Sequence, residues 1–150
     1  MDTVLVPVAS HPGWARDVAA EASEIESNGN GEAVLVHLFD PDEVESTRSN
    51  LDMPVDGEIT LDELAARKAG VSAAVDEFEE AKIDTRVRGV RAEQDRGRAI
   101  LAAAKREGAD RIYLYGRKRS PAGKAVFGSA VQRVLLNASC PVVVVPAGVR

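Results

Sequence analysis

The chain has 150 residues and a net charge of −5. That length supports one domain with a substantial core, and the mild acidity leaves no general footprint for nucleic acid or a membrane surface. Its single cysteine, Cys140, excludes an intrachain disulfide, and no Cys/His set has the spacing of a zinc site.

Thr3 to Val8 reads as a first strand, with Pro7 late in it, where a missing N–H matters least. Pro12 suits a helix start, and Trp14 to Ser27 carries Ala15, Val18, Ala19, Ala22 and Ile25 on one face. Asn28-Gly29-Asn30-Gly31 ends that helix. Ala33 to Phe39 is a continuous apolar run broken by His37, the pattern of a strand covered on both faces. With no nucleophile or second histidine at a useful spacing, His37 reads as a structural or site-edge residue.

Asp40 to Ile59 is polar and acidic, and reads as a mobile loop or lid. A second helix is expected over Thr60 to Ala81, opened by a capping box at Thr60–Glu63. Its stripe is Leu61, Leu64, Ala65, Val71, Ala74, Val75 and Phe78. Ile83 to Val90 alternates Asp84, Arg86 and Arg88 with apolar residues, as a half-exposed edge strand does. A third helix is expected over Gly97 to Arg106, closed by Gly108. Arg111 to Tyr115 is a fourth strand.

After Gly116 comes a basic loop with Arg117, Lys118, Arg119 and Lys124. Gly128-Ser129 then opens a helix with Val131, Val134, Leu135 and Ala138 at helical spacing. Pro141 ends it, and Val142 to Val145 form a last strand. Cys140, between helix and strand, reads as a packing residue.

Strand and helix thus alternate throughout residues 1–150, with no second domain and no repeat. This predicts an α/β fold: a doubly wound parallel sheet, Rossmann-like, with helices on both faces. Ligands on such sheets bind beyond the C-terminal strand ends, where the turns after Val8, Phe39 and Tyr115 converge. Gly128-Ser129 at a helix N-terminus suits an anion, since unpaired N–H groups and the positive dipole end point outward there. The alternative is that Ser129 simply caps the helix beside a solvated basic loop. The P-loop pattern is absent.

Four stretches together, VLVPVA, VLVHLFD, GRAILAAAKREGADRIYLYG and GSAVQRVLLNASCPVVVVP, make the chain resemble the universal stress protein family over essentially its full length. The resemblance implies a five-stranded sheet of order 3-2-1-4-5 and a small stress-response module that binds ATP or another adenine nucleotide, with Mg if ATP. Carried over position by position, it implies a site made by Val8, Ala9 and Ser10, by Leu38, by Gly116, Arg117 and Arg119, and by Gly128, Ser129, Ala130 and Val131. The chain departs from the family's nucleotide motif in two respects. Ala9 stands where binding members carry an aspartate. Counting back from Gly128 puts Tyr115 and Lys118 at the two earlier glycines; a one-residue slip would let Gly116 serve as the first but puts Arg119 at the second, so the second glycine is lost either way.

The alternative within the family is a dimeric regulatory protein without nucleotide, acting on a protein partner still to be identified. No nucleophile–base pair or metal cluster supports an enzyme, so any ATP hydrolysis would be slow and incidental. The resemblance and the apolar edge strand both point to a homodimer through Val142, Val143, Val144 and Val145. No run reaches the roughly 18 apolar residues of a membrane span, and the chain opens directly on a strand, so the expected location is cytoplasmic, with no membrane or nucleic-acid partner.

Overall fold

The computed structural model describes residues 2–50, 60–92, 95–116 and 128–146, the side chains of residues 47–50 excepted. Five parallel strands, β1 (Thr3–Pro7), β2 (Glu32–Phe39), β3 (Asp84–Arg91), β4 (Arg111–Gly116) and β5 (Val142–Pro146), form one sheet in the order β3-β2-β1-β4-β5. Each lies within a residue of its expected bounds at either end. The order reverses at β1, so the crevice between the C-terminal ends of β1 and β4 is the natural place for a ligand.

Helices α1 (Pro12–Glu26) and α4 (Ala69–Glu80) cover one face, and α5 (Arg96–Glu107) and α6 (Ser129–Asn137) the other. On the first face Val4, Val6, Leu35 and Tyr113 pack with Ala19, Ala22, Val71 and Phe78. On the second, Leu5, Val34, Val36, Ile112 and Leu114 pack with Ile100, Ala103 and Val134. Successive strand residues enter opposite cores, which is why the central strands are apolar along most of their length. Cys140 is half-buried against the second core, and burial, aided by Asp110, pushes its thiol pKa up.

The structure corrects the sequence reading at several places. Asp40 to Ile59 is not one loop, because Pro41–Asn50 forms a helix, α2. Asp40 Oδ1 accepts from the Glu43 amide at 2.7 Å, Pro41 opens the first turn, and Asp42 and Glu43 complement its dipole. Residues 51–59 lie outside the described residues.

The expected helix over 60–81 is two, α3 (Leu61–Ala66) and α4, broken where Lys68 turns extended. The break lets α3 lie on β3 while α4 runs along α1. Ile25, expected on the apolar face of α1, is 55% exposed, and Leu135 of α6 is 45% exposed. Gly128, not Ser129, is the N-cap of α6; Ser129 is its first helical residue.

Gly70, near the start of α4, fixes the turn that follows β1. A Cβ there would lie 2.4 Å from the carbonyl oxygen of Ala9. Gly70→Ala is therefore expected to cost about 1–3 kcal/mol as overpacking. A urea midpoint that falls with an unchanged m-value would show it; an unchanged midpoint would mean that the turn yields freely.

Candidate nucleotide site

Beyond the C-terminal strand ends lies a cavity of about 470 Å³, within the usual size of small-molecule sites. Pro7 of β1 and the residues after it, Val8, Ala9 and Ser10, form one side, with Leu38 of β2 beside them. Leu114 and Tyr115 of β4 form the floor. Arg96 and Ile100 of α5 and residues Gly128 to Val131 at the start of α6 form the other side, and Trp14 of α1 completes the lining.

Eight of the positions named from the sequence therefore meet here: Val8, Ala9, Ser10, Leu38, Gly128, Ser129, Ala130 and Val131. Gly116 does not line the cavity; it is buried at the end of β4, in register with Pro146. Arg117 and Arg119, with Lys118 and Lys124, lie outside the described residues.

The α6 N-terminus opens into this space. Gly128 has an extended backbone, φ −64° and ψ 164°, and no described side chain caps the helix. A helix start of this kind suits an anion, which its first N–H groups can bind. Arg96 stands at the same end of the cavity, exposed, with no hydrogen bond or ion pair to a described residue. It also lines an adjoining cavity of about 550 Å³ with Ser129 and Ala130.

The neighbouring cation Arg133 is engaged instead: its Nε lies 2.8 Å from Asp95 Oδ2. The other oxygen of Asp95 accepts from the Arg98 amide at 2.9 Å and caps α5. Sequence reasoning missed Trp14 and Arg96. The available signals were an unusual aromatic in the first turn of α1 and a cation at the first position of α5.

His37 is not in the cavity. It is buried on the α1/α4 side of β2, with Nε2 2.5 Å from Glu43 Oε2 and its ring edge-on to Phe39. Lys68 Nζ reaches the same carboxylate oxygen at 2.9 Å. Burial lowers the histidine pKa, against the opposing pull of Glu43, so the neutral ring donates from Nε2. Burial would raise the Glu43 pKa, but the bonds from His37 and Lys68 outweigh it and hold the carboxyl ionised. The trio ties α2 and the start of α4 to the end of β2. Among the described residues no His/Cys/Asp/Glu group is arranged to hold a metal ion, and no helix is long and apolar enough to cross a membrane.

Comparison with known proteins adds three findings. The profile of the universal stress protein family matches residues 1–146. A comparison with curated protein sequences gave no significant match. Among solved structures, a universal stress protein from Archaeoglobus fulgidus is 23% identical, covers 96% of this chain and 98% of its own, and has a TM-score of 0.69. A universal stress protein in complex with cAMP is 19% identical over 98% of each chain, with a TM-score of 0.67. The Archaeoglobus fulgidus protein in complex with dAMP is 18% identical over 96% and 97%, with a TM-score of 0.64. At these identities the likeness shows the fold.

Proposed function

The chain belongs to the universal stress protein family, and we propose that it is a small dimeric stress-response module that binds an adenine nucleotide in the cavity between β1, β4 and α6. The observation that carries this reading is the α6 N-terminus at Gly128-Ser129, capped by no described side chain, opening into a cavity of nucleotide-sized volume. The phosphate end would lie against those N–H groups and Arg96, and the base and sugar against Val8, Leu38 and Leu114.

Relatives of the same fold in complex with cAMP and dAMP support the ligand class. If the ligand is ATP, its own phosphates would supply most ligands for Mg. The nucleotide-free regulatory reading draws on Ala9 and on the missing second glycine, where Lys118 or Arg119 stands, both departures from the family's binding pattern. The dimer would form through β5, an apolar strand at the sheet edge.

Calorimetry with AMP and ATP tests the proposal. Gly128 has an ordinary φ, so Gly128→Val adds bulk at the helix mouth without backbone strain. It is expected to weaken nucleotide binding at least about tenfold, or 1.4 kcal/mol, with the fold intact. No heat of binding by the unaltered protein at millimolar nucleotide would reject the nucleotide reading and leave the regulatory one.

A further inference from the structure

A separate cavity of about 470 Å³ lies at the β3 edge and shares no described lining residue with the nucleotide cavity. It sits between the start of α3, the second half of β3 and the end of α5. Three arginines line it, Arg88 and Arg91 of β3 and Arg106 of α5.

The carboxylates beside them, Asp62 and Glu107, are shared or already engaged. Asp62 Oδ1 accepts from the Gly89 amide at 2.7 Å, which ties α3 to the strand. The Glu107 side chain is only 8% exposed, and three guanidinium groups crowd it. Arg86 Nη1 lies 3.5 Å from Oε1, while Arg88 Nε and Arg106 Nε lie 3.6 and 3.4 Å from Oε2. Arg86 has a better partner in Glu32, at 2.7 and 3.2 Å. Arg88 and Arg106 therefore share one carboxylate oxygen. Arg88 also reaches Asp62 Oδ2, again at 3.6 Å.

A guanidinium makes its strong bonds to oxyanions at about 2.7–2.9 Å, often two in parallel. The contacts of Arg88 and Arg106 are all longer. They balance charge but leave the geometry of the fork unused. A tetrahedral oxyanion in the cavity could take paired bonds from one fork and further bonds from the others. Guarding a sheet edge requires only exposed charge; it does not require three guanidinium groups around one nearly buried carboxylate beside a cavity. The cavity is also larger than a bare phosphate needs, and Leu61 and Val90 give it an apolar side.

We propose that this cavity binds a phosphoryl dianion, as free phosphate or as a small phosphate monoester, through Arg88, Arg91 and Arg106. It is a second anion site, independent of the nucleotide reading above.

The full chain is titrated by calorimetry with inorganic phosphate and with glycerol phosphate. Sodium chloride holds the ionic strength constant, at about pH 8, where both ligands are mostly dianions. Binding is expected with a Kd of about 1 mM or tighter. Tighter binding of glycerol phosphate identifies a phosphorylated metabolite as the occupant, and equal binding identifies free phosphate. Arg106→Gln, at a side chain 53% exposed, is expected to weaken binding about fivefold or more. Arg88→Lys keeps the charge but loses the fork, and is expected to weaken it about threefold or more. Circular dichroism of each variant separates lost binding from lost fold.

Gly128→Val, at the α6 N-terminus, is expected to leave this binding unchanged. No heat from the unaltered protein at about 10 mM ligand overturns the inference. So does an affinity unchanged in both arginine variants. Binding that Gly128→Val abolishes and the arginine variants leave intact places the anion at α6, and overturns the inference while supporting the nucleotide reading.

Discussion

Glu26→Ala is expected to cost about 2–4 kcal/mol of folding stability, although the residue lies at the opposite end of the sheet from the candidate site. Glu26 is the last residue of α1, where the helix dipole disfavours a carboxylate. It is held there by β4. Arg111 donates to it twice, from Nε at 2.8 Å and Nη2 at 2.6 Å, and the Tyr113 hydroxyl donates to the same carboxylate. Arg111 Nη2 also reaches Asp2 Oδ2 at 2.9 Å.

Removing the carboxylate leaves the fully buried Tyr113 with an unpaired hydroxyl, and Arg111 with only the exposed Asp2. The Arg111 side chain is 26% exposed, so water recovers part of its loss. The cost therefore falls below the full 3–5 kcal/mol of a broken, fully buried pair. Glu26→Gln, which still accepts from both partners, is expected to lose about half as much.

The pH dependence has a definite sign. Hydrogen bonding from Arg111, with help from Tyr113, holds the Glu26 carboxyl below its ordinary value. Its contribution is then fully present above the unfolded-state value, about pH 4.3, and is lost as pH falls through the lower folded-state one. Denaturation curves of the two proteins should be well separated at pH 7 and converge in acid. Curves that coincide at pH 7 would show that the cluster contributes nothing.

How much was legible in the sequence follows from which contacts are local. Central strands buried on both faces read as apolar runs, interrupted in β2 only by His37, so β1, β2 and β4 could be placed to within a residue. Chain alternation then fixed the sheet class, and the carboxyl-end rule pointed to the turns that do meet at the cavity. Helix α2 was hidden because, of its residues with described side chains, Val44 alone is buried, and a helix held by Asp40 and its own dipole leaves no periodic stripe. The break between α3 and α4 was hidden for the opposite reason, since the apolar stripe continues across Lys68. The break lets α3 lie close on β3, where a Cβ on Gly89 would lie 2.2 Å from the Leu61 carbonyl oxygen. Trp14 and Arg96 were missed because the local signals, an aromatic in the first turn of α1 and a cation at the first position of α5, do not say what they face; the chain's crossovers bring them to one cavity.

Val144→Pro is expected to convert the proposed dimer into monomers. The two sheet edges are not equivalent. At β3 the Gly89 amide already donates to Asp62 Oδ1 at 2.7 Å, and Arg86 and Arg88 lie in ion pairs with Glu32, Asp62 and the nearly buried Glu107. That edge is covered by α3 and guarded by charge, the usual ways of preventing strand addition. At the other edge β5 presents only valines between two prolines. Its inward and outward groups can be told apart. The Ile112 amide donates to the Pro141 carbonyl, and Ile112 is in register with Val142. In a parallel ladder Val143 and Val145 then bond to β4, while the N–H and C=O of Val142 and Val144 point away from the sheet.

Side chains are a separate matter. Val145 is buried in the core on the α1 side, so a charge there would unfold the protein rather than divide it. Val144→Pro removes an outward N–H, and proline is tolerated on an edge strand. The β4–β5 ladder stays intact, but the two-fold pairing of β5 with a second copy loses a hydrogen bond on each side and meets a ring. Val144→Thr keeps the amide and the β-branched shape and should remain dimeric. Light scattering at micromolar concentration should give half the mass for the proline variant and an unchanged mass for the threonine one. A monomeric mass for the unaltered chain, or a dimer that survives Val144→Pro, would rule out pairing through this strand.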